Sequence, residues 1–231
     1  MLFNNLKKTK VEYGIYTDTS VPNSIYPNIN KTETNYNLKC PAVNTADNKF
    51  YEVNSFIETE ITLKYNQEQN ILEYQYDFDE TKHPTFSEVH NLIKSNIVIS
   101  NTNNQHTIQI LLPYIFITDT KELELTVLDP GLETKNLKFI SGSFNIYGWA
   151  RGINTAYCLV DKNKTAKIKL KINKPILKYY FSNPVSLKYV NFNDKQLHFI
   201  NSIRNSTFYR KNAYKLYKDN IKRRPKKLLQ K

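Results

Sequence analysis

The run "TAKIKLKIN", residues 165–173, alternates without interruption, with Ile168, Leu170 and Ile172 on one side and Lys167, Lys169 and Lys171 on the other. A period of two marks a β-strand with one face in a core and the other in water. The lysine ladder reads as edge-strand protection, since outward charges discourage pairing with a second chain. A binding stripe is the alternative.

The neighbouring sequence repeats the pattern. "PILKYYFSNPVSLKYVNF" (175–192) holds two further strands broken at Asn183-Pro184. Upstream, "KELELTVL" (121–128) sets Leu123, Leu125 and Val127 on one side. The "DPG" at 129–131 then turns the chain, proline presetting φ and glycine accepting φ > 0. "HTIQILLPYIFIT" (106–118) aligns Ile108, Ile110 and Leu112 before Pro113, which a strand tolerates at an edge or bulge.

Farther back, "NSFIETEITLKY" (54–65) and "NILEYQYDF" (70–78) flank the turn formers "NQEQN" (66–70) and read as a hairpin. Ile57, Ile61 and Leu63 share one side of the first run; Leu72, Tyr74, Tyr76 and Phe78 share one side of the second. One short helix is expected in "HPTFSEVHNLIKS" (83–95), where Phe86, Val89 and Ile93 fall at helical spacing and Thr85 with Glu88 fits a capping box. Short strands, turn signals and little helix predict a mainly β chain: an antiparallel β-sandwich of jelly-roll kind.

The two ends stand apart. "TDTSVPNSIYPNINKTETN" (17–35) is rich in turn formers, so residues 1–37 read as a surface arm. Residues 204–231 carry eleven Lys or Arg against one acid, Asp219; the other residues, 22 basic and 20 acidic, are close to neutral. The formal charge of +12 is therefore a property of the tail. There Tyr209, Ala213, Leu216, Tyr217 and Ile221 recur at helical spacing opposite Arg210, Lys211, Lys215, Lys218 and Lys222. That is an amphipathic helix, ended by Pro225. The expected organisation is an arm over 1–37, a β-sandwich domain over 38–203, and a basic C-terminal helix and tail over 204–231.

Composition narrows the chemistry. With 40% hydrophobic residues over 231 positions, the chain can build one substantial core. Cys40 and Cys158 lie far apart, as reduced thiols do, without disulfide or zinc spacing. No run approaches the ~20 apolar residues of a membrane span, and residues 1–14 lack a signal-peptide core. No membrane partner and no secretion are expected.

None of the four histidines has a carboxylate or second histidine two positions on, as iron oxygenases require. The zinc-deaminase pairing of His-x-Glu with Pro-Cys-x-x-Cys is missing too. The five glycines form no P-loop, dinucleotide fingerprint or nucleophile elbow, so no cofactor is expected. Metal-ligand types are densest in "YDFDETKH" (76–83), with Asp77, Asp79, Glu80 and His83, which reads as a solvated acidic loop; no metal is expected. A glycosidase-like acid pair has no support in the sequence, although such pairs assemble only in space.

Three blocks, "IQILLPYIFITD" (108–119), "GSFNIYGWARGINTAYCL" (142–159) and "KPILKYYF" (174–181), carry a resemblance between about residues 105 and 190. With "CPAVNTADNKFYEVNSF" (40–56) upstream, it extends over roughly residues 38–190. They resemble a family of uncharacterised conserved proteins of marine phages (cyanophage-like) and some proteobacteria. Asn173-Lys174 stands where that family has a glycine and an acid before the proline. The resemblance implies a viral-type protein of the host cytoplasm or the virion. It implies no activity.

The stretch 142–152 gathers three of the five glycines, the single tryptophan and the only arginine before residue 204. Phe144 and Ile146 are expected to enter the core, Gly142 to allow a bulge or a close backbone approach, Gly148 to turn the chain and Trp149 to pack. Arg151 needs a partner, and Asp119 is the expected one, in a structural ion pair. The functional alternative makes Tyr114, Asp119, Trp149 and Arg151 a site for an anionic or sugar-like ligand, since an aromatic wall beside a guanidinium suits either. In the tail, Lys222, Arg223, Arg224, Lys226 and Lys227 are candidates for contact with nucleic acid or an acidic partner. The competing reading packs the tail's aromatics on the domain.

Function is then expected in one of three classes. The first is a non-enzymatic assembly or binding module, gripping neighbours by arm and tail as a homo-oligomer or in a larger viral assembly. The second is an enzyme or small-ligand binder with a pocket near Tyr114, Trp149 and Arg151. The third is a nucleic-acid-binding accessory protein acting through its tail.

Overall fold

Strands dominate the computed structural model, which describes residues 8–16, 26–32, 49–78, 86–101, 105–150, 152–207, 219 and 221–230. They form four sheets. The first has β1 (Thr9–Ile15) between β16 (Val185–Tyr189) and β8 (Tyr114–Ile117). The second runs β10 (Glu133–Lys135), β14 (Ala166–Leu170), β4 (Thr59–Asn66), β5 (Ile71–Phe78). The third runs β11 (Leu137–Ile140), β13 (Ile153–Leu159), β7 (His106–Leu112), β6 (Ile97–Asn101). The fourth runs β12 (Gly142–Asn145), β9 (Glu124–Leu128), β15 (Pro175–Phe181), β3 (Phe50–Asn54), β2 (Asn30–Lys31). Among the described residues one pairing is parallel, β1 with β16; the others are antiparallel.

Strands pass from one sheet into the next across single residues: Pro113 between β7 and β8, Asn136 between β10 and β11, Ser141 between β11 and β12. Asn136 does so at φ 57, in the left-handed region that asparagine tolerates. Asn173 sits likewise at φ 60, two residues before Pro175.

The alternating runs form strands as their periodicity requires. β4 and β5 make the expected hairpin, Thr59 opposite Phe78 through Asn66 opposite Ile71. Ile61, Leu63, Leu72, Ile108, Ile110, Leu112, Leu123, Leu125 and Val127 are buried. At the "DPG" turn the Gly131 N–H donates to Asp129 Oδ1 at 2.8 Å, with Gly131 at φ 78. The first helix, α1 (Phe86–Asn96), buries Leu92 and Ile93; Thr85 and the side chain of Glu88 lie outside the described residues.

The lysine ladder is not on an edge. β14 is flanked by β10 and β4, and each neighbour supplies an acid: Glu60 to Lys167 and Glu133 to Lys171. Each lysine holds its partner's carboxyl below the usual range, first by hydrogen bonding. Period two told which face meets water but not who stands alongside. Ile172, expected inward, lies past the strand's end and is 37% exposed.

The described parts of both terminal segments are built into the fold. Residues 9–15 of the supposed arm form the middle strand of the first sheet, with Val11, Glu12 and Tyr13 buried. The second helix, α2 (Asp194–Thr207), crosses the expected boundary at 203/204. Its start is a capping box that sequence reading missed: Gln196 N–H donates to Asn193 Oδ1 at 3.0 Å and Asn193 N–H returns to Gln196 Oε1 at 3.1 Å. Most of the amphipathic helix expected in the tail lies outside the described residues.

One apolar core draws on all four sheets, with Tyr13, Tyr51, Phe116, Tyr179 and Phe181 stacked or edge-on at ring separations of 5.3–6.1 Å. A second cluster lies on the other face of β8. There Ile115 and Ile117 meet Phe199, Ile200 and Ile203 of α2 and Leu228 of the tail. β8 is therefore buried on both faces.

Candidate functional site

A depression of about 390 Å³ lies over the outer face of the β7–β13 pair. Alternation puts Ile108, Ile110, Ile153 and Tyr157 inward, so Gln109 and Asn154 are left to floor it. Their amides face each other across the strands, Asn154 Nδ2 donating to Gln109 Oε1 at 2.8 Å. Phe144 of β12 and Trp149 wall one side, with ring centroids 5.8 Å apart. Thr107 and Ser141 add hydroxyls, the latter donating to Val127 O at 2.8 Å.

Gly152, at the rim, has a packing reason: a Cβ there would stand 2.7 Å from Leu112 O. Gly142, expected to relieve a close approach, has open space where its Cβ would be. Ile146 is buried as expected, while Phe144 is half-buried beside Trp149.

Tyr114 and Asp119, proposed for the same site, lie elsewhere. Tyr114 is wholly buried, its hydroxyl donating to Pro27 O and its ring against Tyr26, and burial pushes its ionisation far up. It is a core residue and lines no part of the depression. Arg151 falls outside the described residues.

Asp119 is held by the tail. Arg224 Nη2 donates to its Oδ1 at 3.2 Å, while the N–H groups of Leu228 and Leu229 reach Oδ1 and Oδ2 at 2.8 and 3.3 Å. The Arg224 side chain is 0% exposed and Asp119 25%. The guanidinium also donates to Thr118 O and lies 3.9 Å over the Tyr147 ring. Asp119 thus has an arginine partner in Arg224, while Arg151, the partner expected from the sequence, lies outside the described residues.

Arg224 is therefore not a surface contact for nucleic acid; Lys222, Arg223, Lys226 and Lys227 remain exposed. Residues 224–230 form a strap over this face, and a second carboxylate, the buried Glu12, completes its anchorage. Glu12 accepts Gln196 Nε2 at 2.7 Å and the Gln230 N–H at 2.9 Å. Neither anchor shows in sequence periodicity, because each joins segments more than a hundred positions apart.

Arg224→Ala is expected to lower stability by about 2–4 kcal/mol in urea unfolding, since it strips a partly buried carboxylate of its cation. Arg224→Lys should recover little of this, because an ammonium lacks the fork that spans Thr118 and Asp119. A midpoint unchanged in Arg224→Ala would remove the strap from the account of stability.

Among the described residues no three His, Cys, Asp or Glu side chains are placed to hold a metal ion, and no helix is long and apolar enough to cross a membrane. Asp79, Glu80 and His83 lie outside the described residues. No protein-family model matches the chain, and neither a curated protein nor a solved structure matches it.

Proposed function

We propose that the protein is a non-enzymatic binding module of viral type, which takes a small ligand in the depression beside Trp149. The observation that carries this reading is the juxtaposition of a half-buried aromatic wall with a paired-amide floor on rigid strands. In this reading the four sheets stack as a jelly-roll-like sandwich; the strands that change sheet at Pro113 and Ser141 support it.

Trp149 is the only tryptophan, so its emission reports the site directly. A ligand that fits is expected to shift that emission and raise the melting temperature, and Trp149→Ala is expected to abolish the thermal shift. Indifference of the emission to sugars, nucleotides, amino acids and carboxylic acids alike would sink the reading.

Assembly keeps one supporting observation of its own. Among the described residues β16 is an edge strand, paired only with β1, and its Tyr189 is 42% exposed. Light scattering on the full-length chain tests it; a strict monomer rules it out. The nucleic-acid alternative now rests on the four exposed tail cations and predicts affinity that falls steeply with salt.

A further inference from the structure

A second concavity stands apart from Trp149, where β10 begins beside the end of β14. We propose that this notch, between the "DPG" turn and the turn that follows β14, binds a small phosphomonoester. Lys169, Lys171 and Lys174 would hold the phosphate, and the prolines beside them would take the organic part. The notch has a volume of about 270 Å³ and shares none of its described lining residues with the Trp149 depression.

The lysine ladder supplies the first two cations. Leu170 is buried between them, so Lys169 and Lys171 share the water face, about 7 Å apart along the chain. The chain then reverses at Asn173, in the left-handed region that asparagine tolerates. Three backbone bonds fix this turn: Lys174 N–H to Lys171 O at 3.1 Å, Asn173 N–H to Ser55 O at 3.0 Å and Ser55 N–H to Lys174 O at 2.7 Å. Lys174 is thereby brought to the notch that Lys169 and Lys171 line. The facing turn is fixed in its own way, by the Gly131 N–H bond to Asp129 Oδ1.

Charge decides the ligand. Three lysines against one glutamate, Glu133, give the described lining two positive charges. Lys169 stands in register with Glu133 on one side and Glu60 on the other, but those carboxylates bond to Lys171 and Lys167. Among the described residues neither the Lys169 nor the Lys174 ammonium has an ion-pair partner. Like charges held together by a fixed backbone repel, and a dianion relieves that repulsion. A phosphomonoester carries about −1.5 to −2 at neutral pH and offers three acceptor oxygens, one for each ammonium.

The rest of the lining favours an ester over free phosphate. Pro130 is buried, and Leu132 and Pro175 are half-buried at the notch. Their carbons give a short organic substituent an apolar surface beside the cations, the mixture usual in small-ligand sites.

The experiment titrates the full-length protein by calorimetry with phenyl phosphate, glycerol phosphate, inorganic phosphate, inorganic sulfate and oligo-dT. Phenyl phosphate is expected to bind several-fold more tightly than inorganic phosphate, and added salt should weaken both. Lys169→Gln and Lys174→Gln should each weaken it by about threefold to fivefold. Glu133→Gln should tighten binding by a similar factor, because it removes the acid and frees Lys171; a damaged fold cannot produce that gain. Lys135→Gln removes an exposed cation of β10 outside the notch and should leave the affinity unchanged. Between about pH 7.5 and 5 the phosphomonoester takes up its second proton and should lose affinity, while sulfate should not. The lysines stay protonated over that interval, and Glu133, held below the usual range by Lys171, stays ionised.

Equal losses in Lys135→Gln and Lys169→Gln would overturn the site, leaving general charge as the cause. Phenyl phosphate no tighter than sulfate would overturn the ligand class. Binding of oligo-dT alone, or of no probe at all, would overturn both. Each of these results leaves the Trp149 depression standing, since its own test reads Trp149 emission.

Discussion

Raising the pH past about 10 is expected to unfold the protein in one cooperative step, within about one further pH unit. Tyr13, Tyr26, Tyr51, Tyr114, Tyr157 and Tyr179 are buried, and desolvation pushes each phenol's ionisation above the usual value; Tyr114, Tyr157 and Tyr179 are pushed furthest. Neighbouring phenols add to the shift at Tyr114 and Tyr179, and Asp129 adds to it at Tyr157.

In the unfolded chain these groups ionise near pH 10, while in the fold they keep their protons. Above pH 10 the unfolded state therefore binds fewer protons and is favoured, and stability falls by about 1.4 kcal/mol per pH unit for each such group. The three most shifted alone lose about 4 kcal/mol by pH 11, against a usual total of about 5–15 kcal/mol, and Tyr13, Tyr26 and Tyr51 act in the same direction. Phenolate absorbance and far-ultraviolet circular dichroism should change together. Gradual titration of every tyrosine with the dichroism intact would refute the assignment.

Two substitutions separate the causes. The Tyr179 hydroxyl is buried without a hydrogen-bond partner. Tyr179→Phe should therefore be neutral or stabilising by about 1 kcal/mol at neutral pH and should raise the alkaline midpoint. Tyr114→Phe, which loses the bond to Pro27 O, should cost stability at neutral pH.

Period-two alternation made β4, β5, β7, β9 and β14 legible, because each has one face in the core and one toward water. β1 and β8 lacked that contrast for a physical reason. Ile115 and Ile117 of β8 meet α2 and the tail, while Tyr114 and Phe116 meet the main core, so "YIFI" has no polar phase. In β1 the outward position is Glu12, a carboxylate buried under the Gln230 N–H from the far end of the chain and the side-chain amide of Gln196. Such a residue looks solvated until its partners are placed. The same holds at the site: Trp149 was conspicuous by its rarity, but Gln109 and Asn154 are ordinary strand residues until β7 and β13 pair. α2 was the avoidable miss, since Asn193 and Gln196 at capping-box spacing carried a local signal.

Deleting residues 1–37 is expected to abolish cooperative folding altogether, where an arm that only grips neighbours would leave a folded monomer behind. β1 is the middle strand of its sheet, so its loss strips β8 and β16 of their shared partner and opens two edges. Val11 and Tyr13 leave the main core, and buried Tyr26, which accepts Asn96 Nδ2 at 3.2 Å, goes with them. At about 1.5–3 kcal/mol for each large apolar side chain, the burial lost is comparable to the whole net stability of a domain.

The deletion also removes Glu12, so Gln230 N–H and Gln196 Nε2 lose the carboxylate that joins the tail to α2. Truncation after Arg223 should be milder. It uncovers Ile115 and Ile117 and empties the Leu228 position, yet leaves every strand pairing in place. Circular dichroism with urea unfolding ranks the two: no transition for the N-terminal deletion, a weakened but cooperative one for the C-terminal truncation. A soluble N-terminal deletion with a native transition would return residues 1–37 to the role of an arm and reopen the case for assembly through it.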